Sequence, residues 1–143
     1  MNEIAKLNAK DLRISTKQSI EICDFIRFKN LSTAKDILER VMKKKMAIPF
    51  KRFNRDLGHK HGIASGSYPM NASLAILKLL KGVEANAENV GLNKNELYIS
   101  KLMANKGSTQ WHFGRKRRRQ MKRTNIYLEV AEKIKNNPVK VKK

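Results

Sequence analysis

The densest chemistry in the sequence is the run Gly114-Arg115-Lys116-Arg117-Arg118-Arg119-Gln120-Met121-Lys122-Arg123, preceded by Trp111, His112 and Phe113. Successive cations repel one another unless phosphates neutralise them, and the guanidinium fork suits both phosphate oxygens and stacking on bases. Each neutralised phosphate releases counterions, so binding through this run should weaken steeply with salt. Trp111 and Phe113 add flat faces of the kind that take up unpaired RNA bases. A bare charge run also reads as a nuclear localisation signal or a solvated stretch. The adjoining aromatics, and a position at the end of a hairpin argued below, favour RNA.

A second basic patch comprises Lys51, Arg52, Arg55, His59, Lys60 and His61, with Phe50 and Phe53 interleaved. It reads as a surface that docks on RNA backbone while the phenylalanines anchor it; the plainer alternative is a loop pinned only by its aromatics. Asp56, His59 and His61 raise the question of a metal. A structural zinc site takes four ligands, and the sole cysteine, Cys23, falls within the first helix, so no metal or other cofactor is expected. The alternative from another class is a small metal-dependent nucleic-acid-processing enzyme with a histidine base. Against it, the segment lacks the clustered carboxylates that would hold magnesium. Asp24, Asp36, Glu39, Glu84 and Glu88 fall on helices where solvated faces and caps are expected. Cys23 reads as a small core residue rather than a nucleophile. No catalytic residue is assigned.

These groups need elements to hold them. After a strand-like entry over Leu7 to Ile14, Ser15-Thr16 offers a helix cap, and Ile20, Ile22, Cys23, Phe25 and Ile26 form the stripe of a first helix ending near Phe28. Thr33 with Asp36 suggests a capping box for a second helix over Thr33 to Met46, with Ala34, Ile37, Leu38, Val41 and Met42 on one face and Pro49 as its stop. Positions 49–70, with Gly58, Gly62 and Gly66, read as a long ordered loop, a length that usually carries function. From the expected cap Asn71 to Asn89 the chain is apolar on more than one face, which makes it the central helix, and Gly91 sits where a left-handed C-terminal residue belongs.

The period then changes to two. Leu97 and Ile99, and later Ile126, Leu128 and Val130, alternate with polar residues, so two strands flank Lys101 to Thr124 in an extended hairpin over 97–131. Positions 135–143 read as a basic flexible tail. The expected fold class is α+β: one domain over 1–143, three main helices packed on a small antiparallel sheet, and a long extended β-hairpin. A helix-turn-helix in a free-standing DNA-binding protein is a further alternative, but the second helix has a lysine-rich face without Asn or Gln to read bases.

Charge narrows the partner. Lys and Arg number 32 against 12 Asp and Glu, a formal net charge of +20, and so large a surplus calls for a polyanion. An acidic membrane is the other polyanion. The longest apolar stretch, Ala72 to Leu80, is interrupted by Ser73 and Lys78 and is too short to span one, so no membrane partner is expected. With no secretory signal at the N-terminus and one cysteine, the expected location is cytoplasmic.

In order along the chain, Arg13-Ile14-Ser15-Thr16-Lys17, Asp24-Phe25-Ile26-Arg27-Phe28-Lys29, Asn86-Ala87-Glu88-Asn89, Leu97-Tyr98-Ile99, Gly107-Ser108-Thr109 and Lys122-Arg123-Thr124-Asn125-Ile126 resemble one family. It is the universal large-subunit ribosomal protein numbered twenty-two in bacteria and archaea and seventeen in eukaryotes. The inserted segment from Ile48 to Pro69 is similar to archaeal and eukaryotic members. Thr16-Lys17 stands where the family has Pro-Arg, and the distal hairpin, Trp111 to Met121, is shorter than the bacterial one and lacks its Pro-Arg-Ala-Arg-Gly-Arg pattern. The resemblance implies a non-enzymatic constituent of the large ribosomal subunit. Such a protein binds large-subunit rRNA near the peptide exit, organises several rRNA domains and helps line the exit tunnel with its hairpin. The implied partners are that rRNA, neighbouring large-subunit proteins and the nascent polypeptide. Arg13, Lys17 and the 51–61 patch would dock on folded RNA, and Trp111, His112, Arg115, Lys116, Arg117, Arg118, Arg119, Lys122 and Arg123 would enter between RNA segments.

Overall fold

A computed structural model describes residues 3–132. The tail expected over 135–143 lies outside the described residues. In chain order the elements are β1 (Ile4–Leu12), α1 (Thr16–Ile26), α2 (Leu31–Met42), β2 (Ile48–Pro49), β3 (His59–Lys60), β4 (Ile63–Ser67), α3 (Met70–Val90), β5 (Leu97–Lys106) and β6 (Thr124–Glu132). The architecture is α+β. A three-stranded antiparallel sheet in the order β1-β6-β5 carries the helices on one face, and β2-β4-β3 form a second, smaller sheet.

The large sheet is built by alternation. Ala5, Leu7 and Ala9 of β1 face Val130, Leu128 and Ile126 of β6, and on its other side β6 faces Ile99, Leu102 and Ala104 of β5. The spacing in β5 is not regular because the register slips between Ile99 and Lys101. This bulge inserts one residue, Ser100, and reverses the phase of everything after it. Leu102 and Ala104 therefore join the core, while Lys101 and Met103 turn to the other face. The strand runs on to Lys106, opposite Thr124, so the hairpin is paired well beyond Ser100.

Helix α3 is the centre of the helical layer. Ala72, Ile76, Leu77, Leu80, Val83 and Ala87 are buried along it, and Gly82 lets it approach β1 closely, since a Cβ there would stand 3.1 Å from Leu7 Cδ1. At its end Gly91 adopts φ +89°, and Leu92 N donates to Ala87 O at 2.9 Å, closing the helix with the left-handed cap expected from sequence. Its start is one residue earlier than the expected cap: Pro69 precedes the helix and Asn71 lies in its first turn.

Strand β1 runs over Ile4–Leu12 rather than Leu7 to Ile14, and helix α2 and the stretch after it also differ from the sequence reading. Helix α2 begins at Leu31 and ends at Met42, not over Thr33 to Met46, and no side chain caps it, so the Thr33–Asp36 box does not form. Leu31 is 1% exposed and belongs to the core, which pulls the helix start forward. At the other end Lys44 has φ +57°, so the chain leaves the helix through a lysine turn before Pro49 is reached. The stretch expected as a loop carries the small sheet: Ile48 pairs with Ser67, Pro49 with Gly66 and His59 with Ser65.

Candidate nucleic-acid interface

The 50–61 patch is held from beneath by a residue the sequence reading passed over. Glu21, on α1, is 3% exposed, and its carboxylate accepts three backbone N–H groups: Lys51 at 3.1 Å, Arg52 at 2.9 Å and Phe53 at 2.7 Å. Burying a carboxyl group is costly unless it is hydrogen-bonded, and three amide donors meet its oxygens here. Phe50, 3% exposed, plugs into the core beside it. The backbone of the patch is thus pinned to α1 while the Lys51, Arg52 and Arg55 side chains stay exposed.

The same arrangement gathers residues far apart in sequence. Lys17 of α1 and Arg52 both lie over the Phe53 ring, 5.9 and 5.1 Å from its centroid, so the helix cation joins the patch. Arg55 Nε donates to Lys51 O at 2.8 Å, and Lys60 lies 5.9 Å from the Tyr68 ring. Arg13 is exposed in the turn before α1. His59 and His61 are exposed, and among the described residues no group of three His, Cys, Asp or Glu side chains, including Asp56, comes together as a metal site.

The hairpin tip is built differently. Beyond the ladder, Gly107 N donates to Arg123 O at 2.9 Å, Met121 N to Gln110 O at 2.7 Å and His112 N to Arg119 O at 2.9 Å, with a bridge between Trp111 and Gln120. A single 3-10 turn over Gly114–Lys116 reverses the chain, with Gly114 at φ +63°. These are backbone contacts within the hairpin. The side chains of Arg115, Lys116, Arg117, Arg118, Arg119 and Lys122 are exposed, Trp111 is 62% exposed and Phe113 87%. His112 and Arg123 are half-buried, the latter donating to Met121 Sδ at 3.8 Å. Among the described residues no carboxylate pairs with any of these cations.

The carboxylates are spent elsewhere. Glu84 of α3 pairs with Lys35 of α2 and with Lys94, which also reaches Glu88 at 2.9 Å. Glu84 is therefore half-buried between helices, not on the solvated face expected of it. Burial pushes its carboxyl up, but the hydrogen bond and charge of Lys35 and the charge of Lys94 outweigh this and hold it below the usual carboxylate value. Cys23 is a core residue, 2% exposed, and burial pushes its thiol up to about 12, far from a nucleophile at neutral pH. No helix among the described residues is long and apolar enough to cross a membrane.

Glu21 left one signal in the sequence. It lies four residues before Phe25, on the flank of the apolar stripe of α1, where an unpaired carboxylate would be costly.

The family model for ribosomal protein L22p/L17e matches residues 7–138. A protein named large ribosomal subunit protein uL22 from Nanoarchaeum equitans is 41% identical over 150 residues, covering 98% of this chain and 85% of the relative. Proteins of the same name from Methanosphaera stadtmanae and Methanoculleus marisnigri are 46% and 39% identical, covering 73% and 90% of this chain and 70% and 90% of theirs. By this match over most of its length and these identities, the chain belongs to the L22p/L17e family of ribosomal proteins.

Proposed function

We propose that this chain is a structural, non-enzymatic constituent of the large ribosomal subunit that binds large-subunit rRNA near the peptide exit. The reading is carried by one observation: the hairpin tip concentrates exposed cations that no carboxylate of the described residues neutralises. Such a group is stable in a compact assembly only when phosphates surround it.

In this reading the two basic regions divide the work. Arg13, Lys17, Lys51, Arg52, Arg55, His59, Lys60 and His61 dock the globular body on folded RNA. Trp111, His112, Arg115, Lys116, Arg117, Arg118, Arg119, Lys122 and Arg123 reach between RNA segments, so that several rRNA domains are tied together and part of the hairpin helps line the nascent-peptide tunnel. The partners are large-subunit rRNA, neighbouring large-subunit proteins and the growing polypeptide, and the protein works in the cytoplasm without a cofactor. Sedimentation of cell extract at moderate salt tests the reading: the chain is expected in large-subunit particles. Finding it only at the top of the gradient would remove the proposal. Crosslinkers placed at Arg117 are expected to capture nascent chains in translating particles; capture of rRNA alone would move the tip out of the tunnel wall.

A further inference from the structure

The helices cover one face of the β1-β6-β5 sheet and leave the other open. The register sets its side chains in rows across the three strands: Lys6, Glu129 and Lys101 in one, and Asn8, Tyr127 and Met103 in the next. In the third, Asn125 faces Asn105 and lies beside Lys10. The two latter rows and Lys101 line a shallow hollow of about 380 Å³, at the lower end of the size range of small-ligand sites, roughly 300–1,000 Å³.

The chemistry of this hollow is specific. Its centre is an aromatic ring on the middle strand, with Met103, 38% exposed, beside it. Three side-chain amides surround the ring, each carrying donors and an acceptor that can meet a base edge. Asn125 already accepts from Asp11 N through Oδ1 at 2.8 Å, which leaves its amide group as a donor. Lys101 lies over the Tyr127 ring, 5.4 Å from the centroid, and is exposed, so its ammonium can swing to a phosphate while the ring takes a base. Of the carboxylates at the margin, Glu129 accepts from the Tyr127 hydroxyl and pairs with Lys6 at 3.8 Å, and Asp11 stands at the far end beside Asn125, its Oδ1 2.9 Å from where a Cβ on Gly107 would lie.

We infer that this open sheet face is a second RNA site, which holds an unpaired nucleotide with its base on Tyr127 and Met103, its edge on Asn8, Asn105 and Asn125, and its phosphate on Lys10 and Lys101. The proposal rests on the RNA-binding reading and deepens it. A protein partner fits less well, because the centres of protein interfaces are depleted of lysine, whereas Lys101 lies over the central ring and Lys10 also lines the hollow. An aromatic on a central strand flanked by amides and cations is the arrangement by which sheet surfaces take single-stranded RNA, the ring supplying a stacking face tolerant of any base. The face is also continuous with the cationic hairpin, since β5 and β6 form both, so a strand lying along the hairpin can pass directly onto it.

The test uses the full chain with two probes, a single-stranded oligoadenylate and an RNA duplex of equal length. Tyr127→Ala is expected to weaken single-strand binding by about fivefold or more and to leave duplex binding unchanged, while Tyr127→Phe, which keeps the ring, binds like the wild type. Loss on both probes equally, or on neither, overturns the site. Ultraviolet crosslinking of large particles containing the unaltered chain gives a readout independent of any variant. A nucleotide adduct on the peptide bearing Tyr127 supports the site, and an adduct to another protein or to residues of the chain itself overturns it. Replacing Arg115 and Arg118 with Ala keeps the two proposals distinguishable. If that variant binds both probes as tightly as wild type, the hairpin reading fails; if it binds both weakly while Tyr127→Ala discriminates between them, both proposals stand.

Discussion

The 50–61 patch and the hairpin tip are both basic, both carry aromatics, and are stabilised in opposite ways. The patch is tied down by the protein: a buried carboxylate holds three consecutive amides and Phe50 is driven into the core. Among the described residues the tip from Trp111 to Lys122 is held by bonds within the hairpin, with Trp111 and Phe113 in solvent. A surface that must present a fixed shape is ordered in advance, at a cost met once on folding. A segment that must thread between other molecules is left for its partner to order, so its affinity is reduced by the entropy of that ordering. The comparison predicts that disabling the tip changes binding and not stability, and that disabling the patch anchor changes stability first.

The largest expected effect is at the tip. Replacing Arg115, Arg117, Arg118 and Arg119 together with Ala should lower affinity for large-subunit rRNA by about a hundredfold or more, and make the slope of log affinity against log salt shallower by up to about 4, with an unchanged melting temperature. A drop in melting temperature would mean the tip helps hold the fold, and the contrast with the patch would collapse. Next is Glu21→Ala, which strands three amides and should cost about 2–4 kcal/mol in denaturant titrations. Amides of Lys51 to Phe53 should then exchange faster, while those of the tip should not change.

Smaller effects fall at the root of the hairpin and between the helices. Thr124 is buried, donates to Ile14 O at 3.0 Å and meets Thr16 Oγ1 at 2.8 Å, so Thr124→Val should cost about 1–2 kcal/mol and loosen the start of α1 as well as β6. If only β6 amides become less protected, the root is not shared between them. The smallest effect belongs to Glu84. Its folded pKa lies below the ordinary 4.5, so its contribution is fully present above that value and is lost as pH falls through the lowered one. Glu84→Gln should cost about 1 kcal/mol at neutral pH and nothing in strong acid; an equal loss at both would assign the effect to packing, not charge.

Where side chains repeat on one face, the sequence was a faithful guide. The stripe of α3, the left-handed Gly91 and the alternation of β6 each follow from a local rule, and each is found. The errors arise where a distant partner overrides the local pattern. In β5 the alternation set by Leu97 and Ile99 would bury Lys101 and Met103; the bulge at Ser100 avoids this, and the visible period therefore ends before the strand does. Met46 repeats four residues after Met42 and packs on the core, which extends the apparent stripe of α2 past the turn at Lys44 that ends it. Glu21 went unremarked because its partners are backbone amides thirty residues away, which no side-chain pattern announces. The cationic tip was legible because charge of one sign at that density has no internal use.

The turn between α1 and α2 also guards a boundary. Phe28, at φ +65°, donates its N–H to Ile99 O at 3.0 Å, and Ile99 N donates to Lys29 O at 3.0 Å, so a connection between helices occupies the outer hydrogen-bonding groups at the root of β5. Farther along the same edge stand Lys101 and Lys106, both exposed. An uncovered strand edge is a template on which copies of a chain can stack into aggregates, and covering it or charging it is how that is prevented. In a copy without RNA this edge of the sheet is thus closed at its root by two residues of a helix connection and charged beyond it.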